Sequence, residues 1–145
     1  MVSMKTRDAV LLICYFLFTG MFVYAAVSKL MNYDIFVLQM NKQPFPDKFT
    51  PLLVWGIPSA EIFAAILMMT IPFRRIGMFF ATAMMICFTG YIILIKLNYY
   101  GKIPCTCGGV ISKFTWGQHL IFNIFFLAVG FTAIYLEQQF RRKSA

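Results

Sequence analysis

The chain has 145 residues, of which 61% are hydrophobic and 12% charged, with a net charge of +8 and a mean hydropathy of +0.77. Soluble domains carry about 25% charged residues, so most of this surface must face lipid. The cations are scattered over the ends of hydrophobic stretches and cannot form one basic face, which excludes nucleic-acid binding.

The charges mark out four spans. Ala9 to Ser28, Ile76 to Ile95 and Phe114 to Leu136 contain no Asp, Glu, Lys or Arg, and Phe49 to Phe73 contains only Glu61. Each run can cross roughly 30 Å of hydrocarbon as a helix. The expectation is an all-α integral membrane four-helix bundle in one domain, residues 1–145, with spans at about 9–30, 51–71, 75–98 and 116–137.

The first span follows a basic start, and Val23-Tyr24-Ala25 has the look of a signal-peptide cleavage site. A secretory apolar region is about 7–15 residues; this one is longer and is read as a retained helix. Gly20, Ala25 and Ala26 are small enough for close helix contact. Lys29, near the outer end, is either a snorkelling interfacial lysine or a cation available to the exposed cysteines. Cys14 reads as a small buried hydrophobe. Met31 to Thr50, with Pro44 and Pro46, reads as a connecting segment.

The second span opens at Pro51, where a proline forfeits no helical hydrogen bond, and Pro58 should bend it. Glu61 lies about 15 Å below the outer end by helical rise. A carboxylate at that depth is costly unless paired, protonated or hydrated. It is either a functional group or a structural tie between helices.

Arg74 and Arg75 turn the chain into the third span, which closes on Asn98-Tyr99-Tyr100, an interfacial aromatic anchor. Cys87, roughly 18 Å below the outer end, again reads as a small hydrophobe. Thr115-Trp116-Gly117-Gln118 fits a capping box at the start of the fourth span. His119 and Asn123 follow on one face, with His119 expected at the outer membrane surface near Cys107.

An even number of spans leaves both termini on one side. Lys5, Arg7, Arg74, Arg75, Arg141, Arg142 and Lys143 fall there, including every arginine of the chain. The positive-inside rule places that side in the cytoplasm. The loop Cys105-Thr106-Cys107-Gly108-Gly109 is then extracytoplasmic, where a thiol pair is oxidised readily. Two cysteines with one residue between them can bridge only by bending the chain sharply, and a strained disulfide is a better oxidant. Lys102, Lys113, His119 and the helix start all favour a thiolate. Three readings stay open: thiol–disulfide exchange, a static loop disulfide, and a metal site of Cys105, Cys107 and His119. The last has shorter spacing than the usual two to four residues of zinc sites.

Three segments carry a family resemblance. Gly20-Met21-Phe22 with Ser28-Lys29-Leu30 and Phe36 resembles the opening pattern of the DoxX and MauE families. Ile57-Pro58-Ser59-Ala60-Glu61 resembles the proline-to-glutamate segment of MauE's second span. Cys105-Thr106-Cys107-Gly108-Gly109, followed by Trp116, His119 and Asn123, is similar to a bacterial branch of the same group. The resemblance implies a four-helix membrane fold in the bacterial cytoplasmic (inner) membrane and, more loosely, kinship with quinone-linked disulfide-forming enzymes. MauE is associated with maturing methylamine dehydrogenase, whose small subunit is rich in disulfides.

The expected function is therefore a membrane thiol–disulfide oxidoreductase acting on an extracytoplasmic thioredoxin-like or disulfide-containing protein. Cys105 or Cys107 would exchange, His119 and Lys29 would stabilise the thiolate, and Glu61 would shuttle protons, with a quinone as the cofactor in view. A non-catalytic assembly or maturation factor and a metal-handling protein are the alternatives. One departure stands out: enzymes that pass electrons from partner thiols to quinone generally use two cysteine pairs, and this chain has one pair and two isolated cysteines.

Overall fold

The computed structural model describes residues 4–101 and 115–144. All regular structure among them is helical: α1 (Met4–Met31), α2 (Tyr33–Asn41), a 3-10 turn (Asp47–Phe49), α3 (Thr50–Met69), α4 (Arg74–Lys96) and α5 (Trp116–Ser144). Four stretches, Lys5–Met31, Asp47–Met69, Arg74–Lys96 and Trp116–Ser144, are long and apolar enough to cross a membrane. The fold is an all-α bundle of a multi-pass membrane protein.

The four long helices close into a ring. Helix α1 packs on α3, α3 on α4, α4 on α5 and α5 back on α1, while α1 and α4 touch only slightly across the diagonal. At one end Tyr15 Oη donates to Glu137 Oε1 at 2.6 Å, the Arg7 guanidinium lies over the Phe140 ring and that of Arg74 over the Tyr15 ring. The start of α1, the start of α4 and the end of α5 therefore share this end. Helix α2, the end of α4 and the start of α5 belong to the other.

Apolar groups divide between the interior and the outer surface. Phe18, Phe22, Ala64, Ala65, Met78, Ala81, Met85 and Ala133 form the centre, with Phe126 edge-on to Phe18. Leu12, Phe16, Ile66 and Met69 are exposed on the outside, where they meet acyl chains. In lipid, helices associate through close van der Waals contact rather than by escaping water. That contact is tightest at two glycines. A Cβ added at Gly77 would lie 2.7 Å from the Met68 backbone nitrogen, and one at Gly130 would lie 2.6 Å from Thr82 Oγ1.

Three expectations change. Gly20 meets nothing within 4 Å of a Cβ position and faces outward, so it is no packing contact, whereas Ala25 and Ala26 are buried. The stretch after Met31 is not merely a connection: Tyr33–Asn41 is helical, with Phe36 and Met40 one turn apart and buried against Val54. Cys87 is exposed and borders an interhelical cavity, while Cys14 is buried as expected.

The capping box at Thr115 is present. Its backbone N–H donates to Gln118 Oε1 at 3.0 Å, and the Gln118 N–H donates to Thr115 Oγ1 at 3.3 Å. Two end-of-helix amides are thereby satisfied reciprocally.

Candidate functional site

Glu61 sits on the inward face of α3, three residues after Pro58, and is 2% exposed. Lys29 comes from the last turn of α1 and is 8% exposed. Its Nζ donates to Glu61 Oε1 at 2.7 Å, with a longer contact to the Ala25 carbonyl at 3.5 Å. Sequence reasoning selected both residues but treated them separately, Lys29 as a snorkelling or cysteine-facing cation. The structure joins them. A carboxylate at membrane depth needs a partner, and Lys29 is one whose flexible stem reaches inward from the helix end.

The pair is not fully satisfied. Glu61 Oε2 is buried with no hydrogen-bond partner among the described residues. The Glu61 side chain borders a cavity of about 350 Å³ whose wall also includes Lys29, His119 and Asn123. Pockets for small ligands run from about 300 to 1,000 Å³, with mainly apolar walls and a few converging polar groups. Here the apolar wall comes from Met21, Phe22, Ala25, Phe36, Met85, Phe88, Ile92 and Phe122.

His119 and Asn123, one turn apart on α5, are both buried and both border this cavity. His119 thus lies in the opening turn of α5, as the sequence reading had it, with its side chain buried in the bundle. Its ring is tilted against Trp116, with centroids 6.5 Å apart. The capping box fixes the first turn of α5 and so helps set the direction in which the His119 and Asn123 side chains enter the interior.

Two further wall residues escaped the sequence reading. Gln43, just beyond α2, is 5% exposed; its Nε2 donates to the Gln39 carbonyl at 3.2 Å, and its Oε1 accepts a hydrogen bond from the Tyr91 hydroxyl. Tyr91 stacks on Phe45 and meets Trp116 edge-on. This contact ties the α2 segment to α4 and closes one side of the cavity. The available signal was the buried i, i+4 pair Phe36 and Met40, which makes residues 33–41 an amphipathic helix and so turns the following Gln43 toward the bundle.

Cys105 and Cys107 lie outside the described residues, as do Lys102 and Lys113. Of the proposed metal ligands only His119 is described, and the described residues include no group of three metal-binding side chains. The chain leaves the described part at Gly101, after α4, and re-enters it at Thr115, immediately before the cavity residue Trp116.

Residues 7–136 match the MauE family, described as methylamine utilisation protein MauE. Comparison with curated proteins and with solved structures gives no match.

Proposed function

The chain belongs to the MauE family, and from that premise we propose that it is a thiol–disulfide exchange protein of the bacterial cytoplasmic membrane, acting in methylamine utilisation. The observation that carries the reading is the buried Lys29–Glu61 pair sharing one cavity with His119, at the end of the bundle where the chain to and from Cys105-Thr106-Cys107 departs and returns. An ionisable pair held inside lipid-facing helices has a cost that a purely structural tie would not require.

In the proposed reaction the Cys105–Cys107 disulfide accepts two electrons from an extracytoplasmic dithiol protein, or the reduced pair donates them. A partner thiolate attacks one sulfur, a mixed disulfide forms, and the second partner thiol resolves it. Two thiols and one disulfide stand on each side of the equation, so the exchange balances without another reagent. In this reading His119 holds or releases the proton of the exchanging cysteine. Lys29, being committed to Glu61, acts through that carboxylate and not directly on sulfur. The arginines gathered at the opposite end, Arg7, Arg74, Arg75, Arg141 and Arg142, support a cytoplasmic location for both termini.

The partner in this reading is a thioredoxin-like or disulfide-containing protein of the same maturation process. The non-catalytic reading, a maturation factor that only holds such a partner, makes a different prediction. With Cys107→Ser, the exchange reading traps a covalent complex through Cys105 that a reductant releases. A holding factor gives a complex that forms equally well with both cysteines replaced by serine.

A further inference from the structure

We propose that the interhelical cavity is a binding site for a neutral, lipid-soluble hydroquinone, seated with a ring hydroxyl between Lys29 and Glu61. The inference deepens the redox reading and rests on it only for the use made of the ligand; the binding itself follows from the cavity.

Four observations lead to that ligand class. First, Glu61 Oε2 is a buried acceptor with no hydrogen-bond partner among the described residues, on a side chain that borders a cavity of about 350 Å³. A buried acceptor left unmatched bears its full desolvation cost, so the site is complementary to a molecule that brings a hydrogen-bond donor. Second, the adjacent Lys29 Nζ is a donor, 2.7 Å from Glu61 Oε1. A hydroxyl satisfies both partners at once: its hydrogen goes to the carboxylate and its lone pair faces the ammonium. Third, the ion pair is neutral as a unit, and most of the remaining wall is apolar, with Gln43, Tyr91, His119 and Asn123 as its polar members. A fatty-acid carboxylate would set a second negative charge beside Glu61, and a phospholipid headgroup is charged and too large for this volume. Fourth, the aromatic side chains of Phe22, Phe88, Tyr91 and Trp116 line the space, which suits a planar ring better than a saturated chain.

His119 and Asn123 enter the same cavity from α5, whereas Lys29 and Glu61 enter from α1 and α3. Polar groups supplied from separate helices match a ring with oxygens at two positions. A plain alcohol or monophenol would serve one set alone. The surrounding helices expose apolar side chains outward, so a ligand dissolved in the bilayer is concentrated around the bundle.

The test uses the full chain in phosphatidylcholine nanodiscs, with Trp55→Phe. Trp55 is 59% exposed, and its removal leaves Trp116, one of two tryptophans in the sequence, as the reporter within the cavity. Ubiquinol carrying one isoprene unit is titrated by calorimetry, and Trp116 fluorescence reports where it binds. The expected result is saturable binding at one site per chain, with Trp116 emission changing in step. The same ring with both hydroxyls capped as methyl ethers should bind at least about tenfold more weakly, because a hydrogen bond to a charged group is worth that factor or more. Lys29→Met combined with Glu61→Leu removes the polar seat while keeping apolar bulk, and should weaken binding by a similar factor. Ala25→Leu, which adds bulk to the cavity wall, provides a second variant if the double substitution does not fold.

Equal binding of the capped ring, unchanged binding by the variants, or the absence of saturable binding would each overturn the proposal. The titration is repeated with both Cys105 and Cys107 replaced by serine, and binding should persist. Binding without any thiol exchange by the parent chain sinks the redox reading and leaves the site standing. Thiol exchange without binding does the reverse.

Discussion

Replacing Lys29 by Met leaves Glu61 as an uncompensated carboxylate in the interior of the bundle. Both side chains are nearly inaccessible, at 8% and 3% exposure, and the contact is 2.7 Å. Breaking a buried ion pair by removing one partner costs about 3–5 kcal/mol. An ordinary neutral hydrogen bond between membrane helices is worth about 0.6 kcal/mol on average. The two magnitudes are far enough apart to identify the pair as ionic. Lys29→Met and Glu61→Leu should each lower stability by about 3–5 kcal/mol, while the double substitution, which removes both charges together, should recover most of the loss. The coupling, the two single losses less that of the double, is then about 4 kcal/mol or more, above the roughly 0.5–3 kcal/mol that contacting residues usually show. Reversible unfolding by denaturing detergent, followed by circular dichroism for the four proteins, measures it. Single losses of about 1 kcal/mol that simply add would refute the ionic assignment, and with it the argument that the site carries chemistry.

Four other expectations follow from the packing. Gly77→Ala forces a methyl onto the Met68 backbone, 2.7 Å away, and should cost about 1–3 kcal/mol by overpacking; Gly20→Ala, with open space around it, should be neutral or gain up to about 1 kcal/mol from helix propensity. Thermal unfolding in detergent distinguishes the two. Thr115→Ala removes the cap of α5 and should cost about 0.5–2 kcal/mol, read in the same melts. Tyr15→Phe deletes the 2.6 Å hydrogen bond to Glu137, a bond to a charged group worth about 1.5–3 kcal/mol, and should loosen the α1–α5 end as read by faster amide exchange there. A lipid-soluble maleimide should label exposed Cys87 well before buried Cys14; equal rates would place α4 in a different rotation.

How much of this was readable beforehand depends on range along the chain. The spans could be read from charge alone, because charges are rare inside hydrocarbon, and the capping box from Thr115 to Gln118 is a four-residue signal. Glu61 announced itself as a carboxylate at depth. Its partner did not, since pairing across 32 residues depends on the rotation of α1 against α3, which a nearly uniform apolar surface leaves unspecified. The same uniformity misled the reading of small residues. Gly20 looked like a contact and faces outward, whereas Gly77 and Gly130, unremarked in sequence, hold the closest approaches. Helix α2 was hidden by Pro44 and Pro46, which lie just beyond its end, although Phe36 and Met40 already had helical spacing. His119 was assigned to the correct turn of the correct helix, but its burial in the bundle was not legible, because the rotation of α5 about its axis is set by long-range packing.

The central claim is that the Cys105–Cys107 pair turns over. It is tested most directly by rapid acid quenching of intact cells, alkylation of free thiols with a mass-tagged maleimide, and separation of the oxidised and reduced forms of the full chain, with Cys14 and Cys87 replaced by alanine. The account predicts that both forms are populated, that Cys107→Ser accumulates a reductant-sensitive covalent complex, and that serine at either position abolishes maturation of the partner. A pair found always closed or always open, with serine variants that support growth on methylamine as well as the parent, would contradict it.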